Sequence, residues 1–312
     1  MKIGIIQSEI RLGDVTENLK RCEIGVRSAR DRGADFILLP EFFNSGIAFD
    51  KSMLSVPRRQ LSTLSWLRNI ASELGIPIGG SLLIFDGTDV HNTFVLIFPD
   101  GSTYTHQKDL PTMVENAYYI GGSDNGIFPT PIGRIGVALC WEMIRWQTVR
   151  RLAGRVDFVL AASCWWGRCL SPLERPEGAH RKNIEMLKNA PRDLARLLGV
   201  PVAHASGVGE YSASRLSNPE STVAGCFLGH SRIVDPDGNH MDIAKPKMGE
   251  AILVAELPGE TQAAQPVPDQ TGYWIPELTA AHLHRWRIDG KLGRRYYKTV
   301  ARKYYSGGNA DL

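Results

Sequence analysis

Three residues with reactive side chains each follow a strand-like segment, and together they have the chemistry needed to attack a carbonyl carbon. Cys140 ends the apolar run in GRIGVALCWEM, Glu41 follows FILLP, and Lys108 ends the segment YTHQK. Strand ends in open α/β sheets commonly meet in one crevice, so the three side chains could lie close together. A thiol is little ionised at neutral pH, and a nucleophilic cysteine therefore needs a partner that takes its proton.

Glu41 and Lys108 are candidates for that base and for a stabilising cation. Glu41 lies between an apolar run and two phenylalanines, Phe42 and Phe43, and burial raises the pKa of a carboxyl group. A fixed cation such as Lys108 would stabilise the oxyanion that forms when a carbonyl is attacked. Each residue also has a purely structural interpretation: a small core cysteine, a solvated cap glutamate and a solvent-exposed lysine.

Composition and charge indicate a globular protein that acts on neither nucleic acid nor membrane. The 312 residues carry a net charge of +3, and no apolar run approaches the roughly 20 residues that cross a bilayer. The N-terminal MKIGIIQSEI resembles a strand rather than a signal peptide. Five scattered cysteines argue against a disulfide framework. We therefore expect reduced cysteines and a cytoplasmic location.

Strand-like and helix-like segments alternate along the chain. Apolar spacing predicts helices over 14–33, over Ser62–Leu74 and over Trp146–Leu152. A further helical segment over 181–199 contains Pro191, which is expected to kink it or to split it in two.

The second half of the chain repeats the pattern of the first. The segment GRVDFVLAAS echoes RGADFILLPE, and a Pro-Asp-Gly turn predicts a hairpin at residues 99–101 and again at 236–238. Two half-domains of this kind predict two sheets packed face to face with helices outside, in a single α/β domain.

The three motifs, in this order, resemble those of the nitrilase superfamily of carbon–nitrogen hydrolases. LLPEFF resembles the segment of the family's catalytic base, HQKDLP its lysine segment and GRIGVALCWE its nucleophile strand. The resemblance extends from KIGIIQ to about AILVAEL. It implies a catalytic triad of Glu41, Lys108 and Cys140.

The resemblance also implies a fold and a further site residue. The fold is a four-layer α-β-β-α sandwich, and residues 1–260 would form this carbon–nitrogen hydrolase domain. Residues 261–312 would be a C-terminal tail that acts as an intersubunit arm. Glu115, shortly after the lysine, would position Lys108 and the attacking water or substrate amide.

The expected partners are a small-molecule substrate and other copies of the chain, in a homodimer or higher homo-oligomer. The basic, aromatic residues 284–305 could bind single-stranded nucleic acid, but packing against another subunit is the favoured interpretation. The resemblance implies no metal or organic cofactor. Cys164 and Cys169 by themselves offer only half of a metal site.

The sequence leaves the bond that is cleaved open. Most of the superfamily cleaves amides or N-carbamoyl groups, which favours an amidase that releases ammonia or an amine and a carboxylic acid. KDLPT with Glu115, together with CWE, favours a nitrilase instead, although the segment that follows CWE does not resemble nitrilases. A binding protein that keeps the scaffold without the chemistry is a third hypothesis, and the intact triad argues against it.

Residues next to the triad are expected to bind substrate. The candidates are Phe42, Trp141, Glu142, Trp165 and Trp166. The amide of Trp141 would stabilise the oxyanion, and the other two tryptophans favour an apolar or aromatic substrate part. Many amidase members follow the nucleophile with Tyr-Asp and then arginine; this chain departs from that pattern, so a role for Arg145 is left open.

Overall fold

Two β-sheets form the centre of the computed structural model, which describes residues 1–169, 174, 176–244 and 249–307. The strands of the described residues are β1 (Lys2–Gln7), β2 (Phe36–Leu38), β3 (Ile78–Phe85), β4 (Val90–Ile97), β5 (Thr103–Gln107), β6 (Ile127–Thr130), β7 (Gly133–Leu139), β8 (Phe158–Ser163), β9 (Trp166–Gly167), β10 (Val202–Ser206), β11 (Val208–Arg215), β12 (Asn218–Leu228), β13 (Arg232–Val234), β14 (His240–Ile243) and β15 (Ala251–Glu256). The α-helices are α1 (Val15–Asp31), α2 (Gln60–Leu74), α3 (Trp146–Leu152), α4 (Gly178–Leu198), α5 (Ala280–Tyr296) and α6 (Arg302–Tyr305).

The two main sheets have the same topology, which confirms the predicted repeat. The strand order is β15-β1-β2-β3-β4-β5 in the first sheet and β14-β13-β10-β8-β7-β6 in the second. In each sheet three neighbouring strands are parallel, β1-β2-β3 and β7-β8-β10, and the strands outside them pair antiparallel. A smaller sheet, β11-β12-β9, lies beside them among the described residues.

The sheets pack face to face through apolar side chains, with helices on their outer faces. Ile5 and Leu38 of the first sheet belong to the same buried cluster as Val137 and Leu160 of the second. The helices α1 and α2 cover the first sheet, and α3 and α4 cover the second. This arrangement confirms the predicted four-layer α-β-β-α sandwich.

Local signals account for the helix boundaries. The Asp14 side chain accepts a hydrogen bond from the Glu17 amide and starts α1, and Gly75 ends α2 in the left-handed conformation. The predicted helix over Trp146–Leu152 has those bounds in the structure. Pro191 does not split α4, which is continuous from Gly178 to Leu198; the proline is buried on the apolar face, where packing offsets the lost hydrogen bond.

Two of the five cysteines are bonded, so the expectation of five reduced cysteines is wrong. Cys169 and Cys226 form a disulfide because the pairing of β9 with β12 brings residues 57 apart in sequence next to each other. Cys22, Cys140 and Cys164 are free and buried. Because Cys169 is bonded, it is not available to form a metal site with Cys164.

The tail beyond residue 260 packs against its own chain. The amide of Gln262 donates to the carbonyl of Gly199 at 2.7 Å, and α5 packs on the 3₁₀ turn Met113–Ala117. Tyr297, in the π-helical turn after α5, is 3% exposed. A role of the tail between subunits stays a prediction. In the described part of the chain, no helix combines the length and apolarity that spanning a membrane requires.

We expect Leu160→Ala to lower the free energy of unfolding by about 2–5 kcal/mol, because the side chain is fully buried between the sheets and its removal leaves a cavity. Urea denaturation measures the change. The matched control is Leu61→Ala on α2, where the residue is 72% exposed and the change should stay within about 0.5 kcal/mol. Equal effects at the two positions would contradict the core described above.

Candidate active site

Cys140 lies at a strained turn between β7 and a short 3₁₀ helix, Cys140–Ile144. Its φ is 52°, in the left-handed region that side chains with a Cβ rarely adopt. Among the described residues, Phe42, Met113 and His230 share this conformation; Phe42 follows Glu41, and Met113 begins the turn that carries Glu115. Backbone strain of this kind typically marks functional sites, where the surrounding structure enforces it.

Glu41 follows β2 and is fully buried. One carboxylate oxygen, Oε1, accepts hydrogen bonds from Lys108 Nζ at 2.9 Å and from Asn92 Nδ2 at 2.8 Å. The other, Oε2, accepts from the Cys164 amide at 2.9 Å. Three donors from separate strands and loops therefore fix the orientation of the carboxylate.

Lys108 lies directly after β5, and its side chain is also fully buried. Its Nζ donates to Glu41 at 2.9 Å and to Glu115 Oε2 at 2.7 Å. A buried ammonium group is strongly destabilising unless it is paired, and here two carboxylates share the charge.

Glu115 is held by the turn on which it lies. Its Oε2 accepts from the Thr112 amide at 2.8 Å and from the Tyr119 hydroxyl. Because the same oxygen binds Lys108, the turn fixes the ammonium group as well as the carboxylate.

The structure brings the four predicted catalytic residues together. A carboxylate oxygen of Glu41, one of Glu115 and Sγ of Cys140 all lie within 4.8 Å of one another. Lys108 bridges the two carboxylates. A thiol, a base and a fixed cation at this spacing can carry out nucleophilic attack on a carbonyl carbon.

Burial and charge set the protonation states. Burial raises the pKa of Glu41 to about 7, although Lys108 opposes the shift. Burial also holds the pKa of the Cys140 thiol well above its ordinary value. Burial disfavours the charge on Lys108, but Glu115 and Glu41 outweigh it and raise the pKa of the ammonium group. The resting site therefore holds a neutral thiol next to a carboxylate that can accept a proton near neutral pH.

A cavity of about 460 Å³ opens in front of the thiol. Cys140 and Glu115 line it, together with Trp141, Trp165 and Trp166. Polar and charged groups also line the wall: His180, Asn183, Arg215, His282, Arg285 and Asp289. The cavity thus combines an aromatic region near the nucleophile with groups that can bind a polar substituent.

Two predicted substrate-binding residues, Phe42 and Glu142, are not among those that line the cavity, and neither are Glu41 and Lys108; the substrate-binding role of the two stays a prediction. Phe42 is fully buried, with its ring 6.1 Å from that of Tyr119. The Glu142 carboxylate is fully buried and bound by the backbone amides of Leu139 and Asp109. Neither side chain is among the residues that line the cavity.

The C-terminal tail contacts both catalytic segments of its own chain. The Tyr273 ring packs edge-on against Trp141 at 5.6 Å and lies 5.7 Å from the Arg145 guanidinium. On α5, Arg294 donates to Asn116, next to Glu115, at 3.2 Å. Arg145 therefore lies against Tyr273, beside the turn that carries Cys140, and it is not among the residues that line the cavity.

Two residues that contact the catalytic candidates were not predicted from the sequence. Asn92 donates to Glu41, and Tyr119 donates to Glu115. A lone amide inside the apolar strand VHNTFVLIF is the signal that could have identified Asn92, because a buried amide needs a specific partner. Tyr119 has no comparable signal, since a buried tyrosine is ordinary in a core.

Metal-binding atoms converge at two places in the described residues. The two sets are Glu41, Glu115 and Cys140, and His106, Asp109 and Glu142. In the first set, Lys108 Nζ already binds both carboxylates and supplies the positive charge. In the second, backbone amides and protein cations bind the Glu142 oxygens. Protein groups therefore already bind the carboxylates of Glu41, Glu115 and Glu142, whereas Asp109 Oδ2, 3.9 Å from Arg151 Nε, has no hydrogen-bond partner among the described residues.

Known proteins are similar to this chain in sequence, and solved structures are similar to it in fold. The 2-oxoglutaramate amidase of Bacillus subtilis (strain 168) is 26% identical over 259 residues, which cover 82% of this chain and 90% of that protein. The N-carbamoylputrescine amidase of Solanum lycopersicum is 28% identical over 258 residues, covering 78% and 82%.

The fold is shared with a solved amidase from Nesterenkonia sp. AN1, in which acrylamide has added to the active-site cysteine. The identity is 21%, the coverage is 83% of this chain and 94% of that chain, and the TM-score is 0.65. The sequence model of the carbon-nitrogen hydrolase family matches residues 2–266 and so spans all four catalytic candidates. The chain belongs to the carbon-nitrogen hydrolase family.

Proposed function

We propose that the chain hydrolyses the C–N bond of a small amide or N-carbamoyl substrate through a thioester on Cys140. The observation that carries this proposal is the buried Glu41–Lys108–Glu115 array, with one oxygen of each carboxylate within 4.8 Å of a thiol that lines a cavity. The catalytic and substrate-binding roles given below are part of the same proposal.

The first half of the reaction forms the thioester. Glu41 takes the thiol proton as Sγ of Cys140 attacks the carbonyl carbon. Lys108 and the amide of Trp141, in the first turn of the 3₁₀ helix, stabilise the oxyanion. The C–N bond then breaks, and Glu41 returns its proton to the departing nitrogen, which leaves as ammonia or an amine.

The second half releases the acid. Glu41, again ionised, takes a proton from a water that attacks the thioester carbon. The C–S bond breaks, the sulfur recovers a proton, and the carboxylic acid leaves. Glu115 holds Lys108 throughout, because its Oε2 binds Nζ at 2.7 Å.

The aromatic end of the cavity indicates where the acyl part of the substrate would lie. Trp165 and Trp166 line the cavity together with Cys140, so an apolar or aromatic acyl group could pack on them after attack. The polar side chains of the wall include Arg285, whose Nε donates to Asp289 at 2.6 Å. We therefore favour substrates that combine an apolar segment with a polar group.

Nitrile hydrolysis is the alternative chemistry. KDLPT with Glu115, together with CWE, is the sequence feature that favours it. The relatives described above carry the names of amidases, which favours amide or N-carbamoyl hydrolysis. A binding protein without activity is less favoured, because all four catalytic candidates are present and in contact range.

The remaining expectations on partners and location stay predictions. Part of the basic tail serves internal contacts: Arg302 pairs with Asp89 at 2.9 Å, and Tyr297 is buried. The absence of a nucleic-acid partner also stays a prediction. The homodimer or higher homo-oligomer and the cytoplasmic location rest on the sequence analysis.

We expect a panel of small amides and N-carbamoyl compounds to release ammonia or amine faster than their matching nitriles. Cys140→Ala should abolish this release, and intact-protein mass spectrometry should find an acyl adduct in the wild type that the variant lacks. Cys22→Ala is the matched control, because Cys22 is a buried free cysteine on α1, away from the cavity. Normal turnover by Cys140→Ala would exclude the mechanism, and faster nitrile turnover would favour the alternative.

We expect kcat/KM to fall tenfold per pH unit below about pH 7, because Glu41 must be ionised to take the thiol proton and its pKa is raised to about 7. Initial rates measured at a series of pH values on the best substrate give this acidic limb of the pH profile. Glu41→Gln should lower kcat/KM at least about 100-fold and remove the limb. Glu73→Gln, at an exposed glutamate of α2, is the control and should leave both unchanged. An unaltered limb in Glu41→Gln would assign it to another group.

A further inference from the structure

A second buried charged cluster lies behind the catalytic residues and takes no part in the mechanism above. His106, at the end of β5, and Glu142, in the turn after β7, are both fully buried and absent from the cavity wall. Nε2 of His106 lies 3.1 Å from Glu142 Oε2, and Nδ1 lies 2.6 Å from Asp124 Oδ1. The cluster joins the strand that precedes Lys108 to the turn that carries Cys140.

The Glu142 carboxylate binds the backbone next to both catalytic residues. Oε1 accepts from the Asp109 amide at 2.6 Å, and Asp109 directly follows Lys108. Oε2 accepts from the Leu139 amide at 2.7 Å, and Leu139 directly precedes Cys140. One side chain thus links the two chain segments that carry the cation and the nucleophile.

Two cations keep this carboxylate charged in the interior. Burial alone would protonate it, but His106 and Arg151 hold the pKa of Glu142 far below its ordinary value. Burial likewise opposes a charge on His106, and Glu142 and Asp124 raise its pKa to about 9. Both groups are therefore ionised near neutral pH, and their hydrogen bonds are charge-assisted, which makes them the strong kind.

A stabilising role alone does not account for this arrangement. Buried ion pairs are weak contributors to stability, because desolvation offsets their attraction. The Glu142 oxygens are directed to two backbone amides whose neighbours are the nucleophile and the lysine. The Cys140 backbone is also strained, with a φ of 52°, and needs surrounding contacts to maintain it.

We infer that the His106–Glu142 pair is a positioning device, which holds Cys140 at its working distance from Lys108 and Glu41. The inference rests on the proposed function only in taking Cys140 as the nucleophile. Loss of the device lets the nucleophile turn move relative to the lysine segment. A misplacement of about 1 Å costs about 100-fold in rate for groups that must meet in a fixed geometry.

The test measures the thiol directly. The rate at which iodoacetamide alkylates Cys140 is followed by intact-protein mass spectrometry, with Cys140→Ala as the blank for the two other free cysteines. Glu142→Gln replaces one accepting oxygen by an NH₂ group, so one of the two backbone bonds is lost. We expect alkylation and kcat to fall about 100-fold, with KM within about threefold. Because alkylation needs no substrate, it remains informative if the amide assay fails.

A double-mutant cycle separates positioning from general destabilisation. His106→Gln should also slow alkylation of Cys140. The double variant, with both substitutions, should be alkylated no more slowly than Glu142→Gln alone, because the two residues act as one unit. Leu160→Ala is the matched control: it destabilises the core between the sheets and should alkylate at the wild-type rate while folded. Independent, multiplying effects, or wild-type alkylation in folded Glu142→Gln, would overturn the inference.

A milder variant keeps the test decisive if Glu142→Gln does not fold. The Asp124 side chain is 38% exposed and binds His106 from the side opposite Glu142. Asp124→Asn weakens the hold on His106 without removing a buried charge, and we expect slower alkylation with little change in unfolding temperature. An unchanged alkylation rate in this variant and in His106→Gln would count against the inference.

Discussion

The active site depends on the burial of one ammonium group. The Lys108 side chain has no contact with solvent, and an unpaired charge there would cost several kcal/mol. Glu41, after β2, and Glu115, on the turn after β5, bind its Nζ at 2.9 and 2.7 Å. Any packing that separated these segments would leave a buried charge without a partner. The charge requirement therefore holds Glu41, Lys108 and Glu115 together.

The repeated topology explains why the nucleophile meets this array. Each sheet places three parallel strands side by side, and the loops after equivalent strands emerge at corresponding positions. Glu41 follows β2, and Cys164 follows its counterpart β8; the Cys164 amide donates to the Glu41 carboxylate at 2.9 Å. Face-to-face packing thus supplies the base with a donor from the opposite sheet. Cys140, at the end of neighbouring β7, then lies within reach of the same carboxylate.

Features set by local sequence could be predicted, and features set by contacts between distant segments could not. Helix boundaries, the sandwich and the presence of the triad follow from caps, periodicity and three short motifs. The direction of a side chain does not: in the 3₁₀ turn, Trp141 lines the cavity while Glu142 points into the protein. Asn92 donates a hydrogen bond to Glu41 only because the fold places β4 next to the loop after β2. The bond between Cys169 and Cys226 depends on the pairing of β9 with β12.

Two buried glutamates show how the same fold assigns different tasks to one chemical group. Burial opposes ionisation of both. For Glu41 the compensation is one ammonium, which Glu115 shares, with neutral donors from Asn92 and the Cys164 amide; burial prevails, and the pKa rises to about 7. For Glu142 the compensation is His106, Arg151 and backbone amides, so its pKa falls far below the ordinary value. A carboxylate that titrates near neutral pH can exchange protons with substrate. Glu142 stays charged throughout, so it does not exchange protons near neutral pH, and its oxygens bind backbone amides instead. The neighbours of each glutamate decide between these two behaviours.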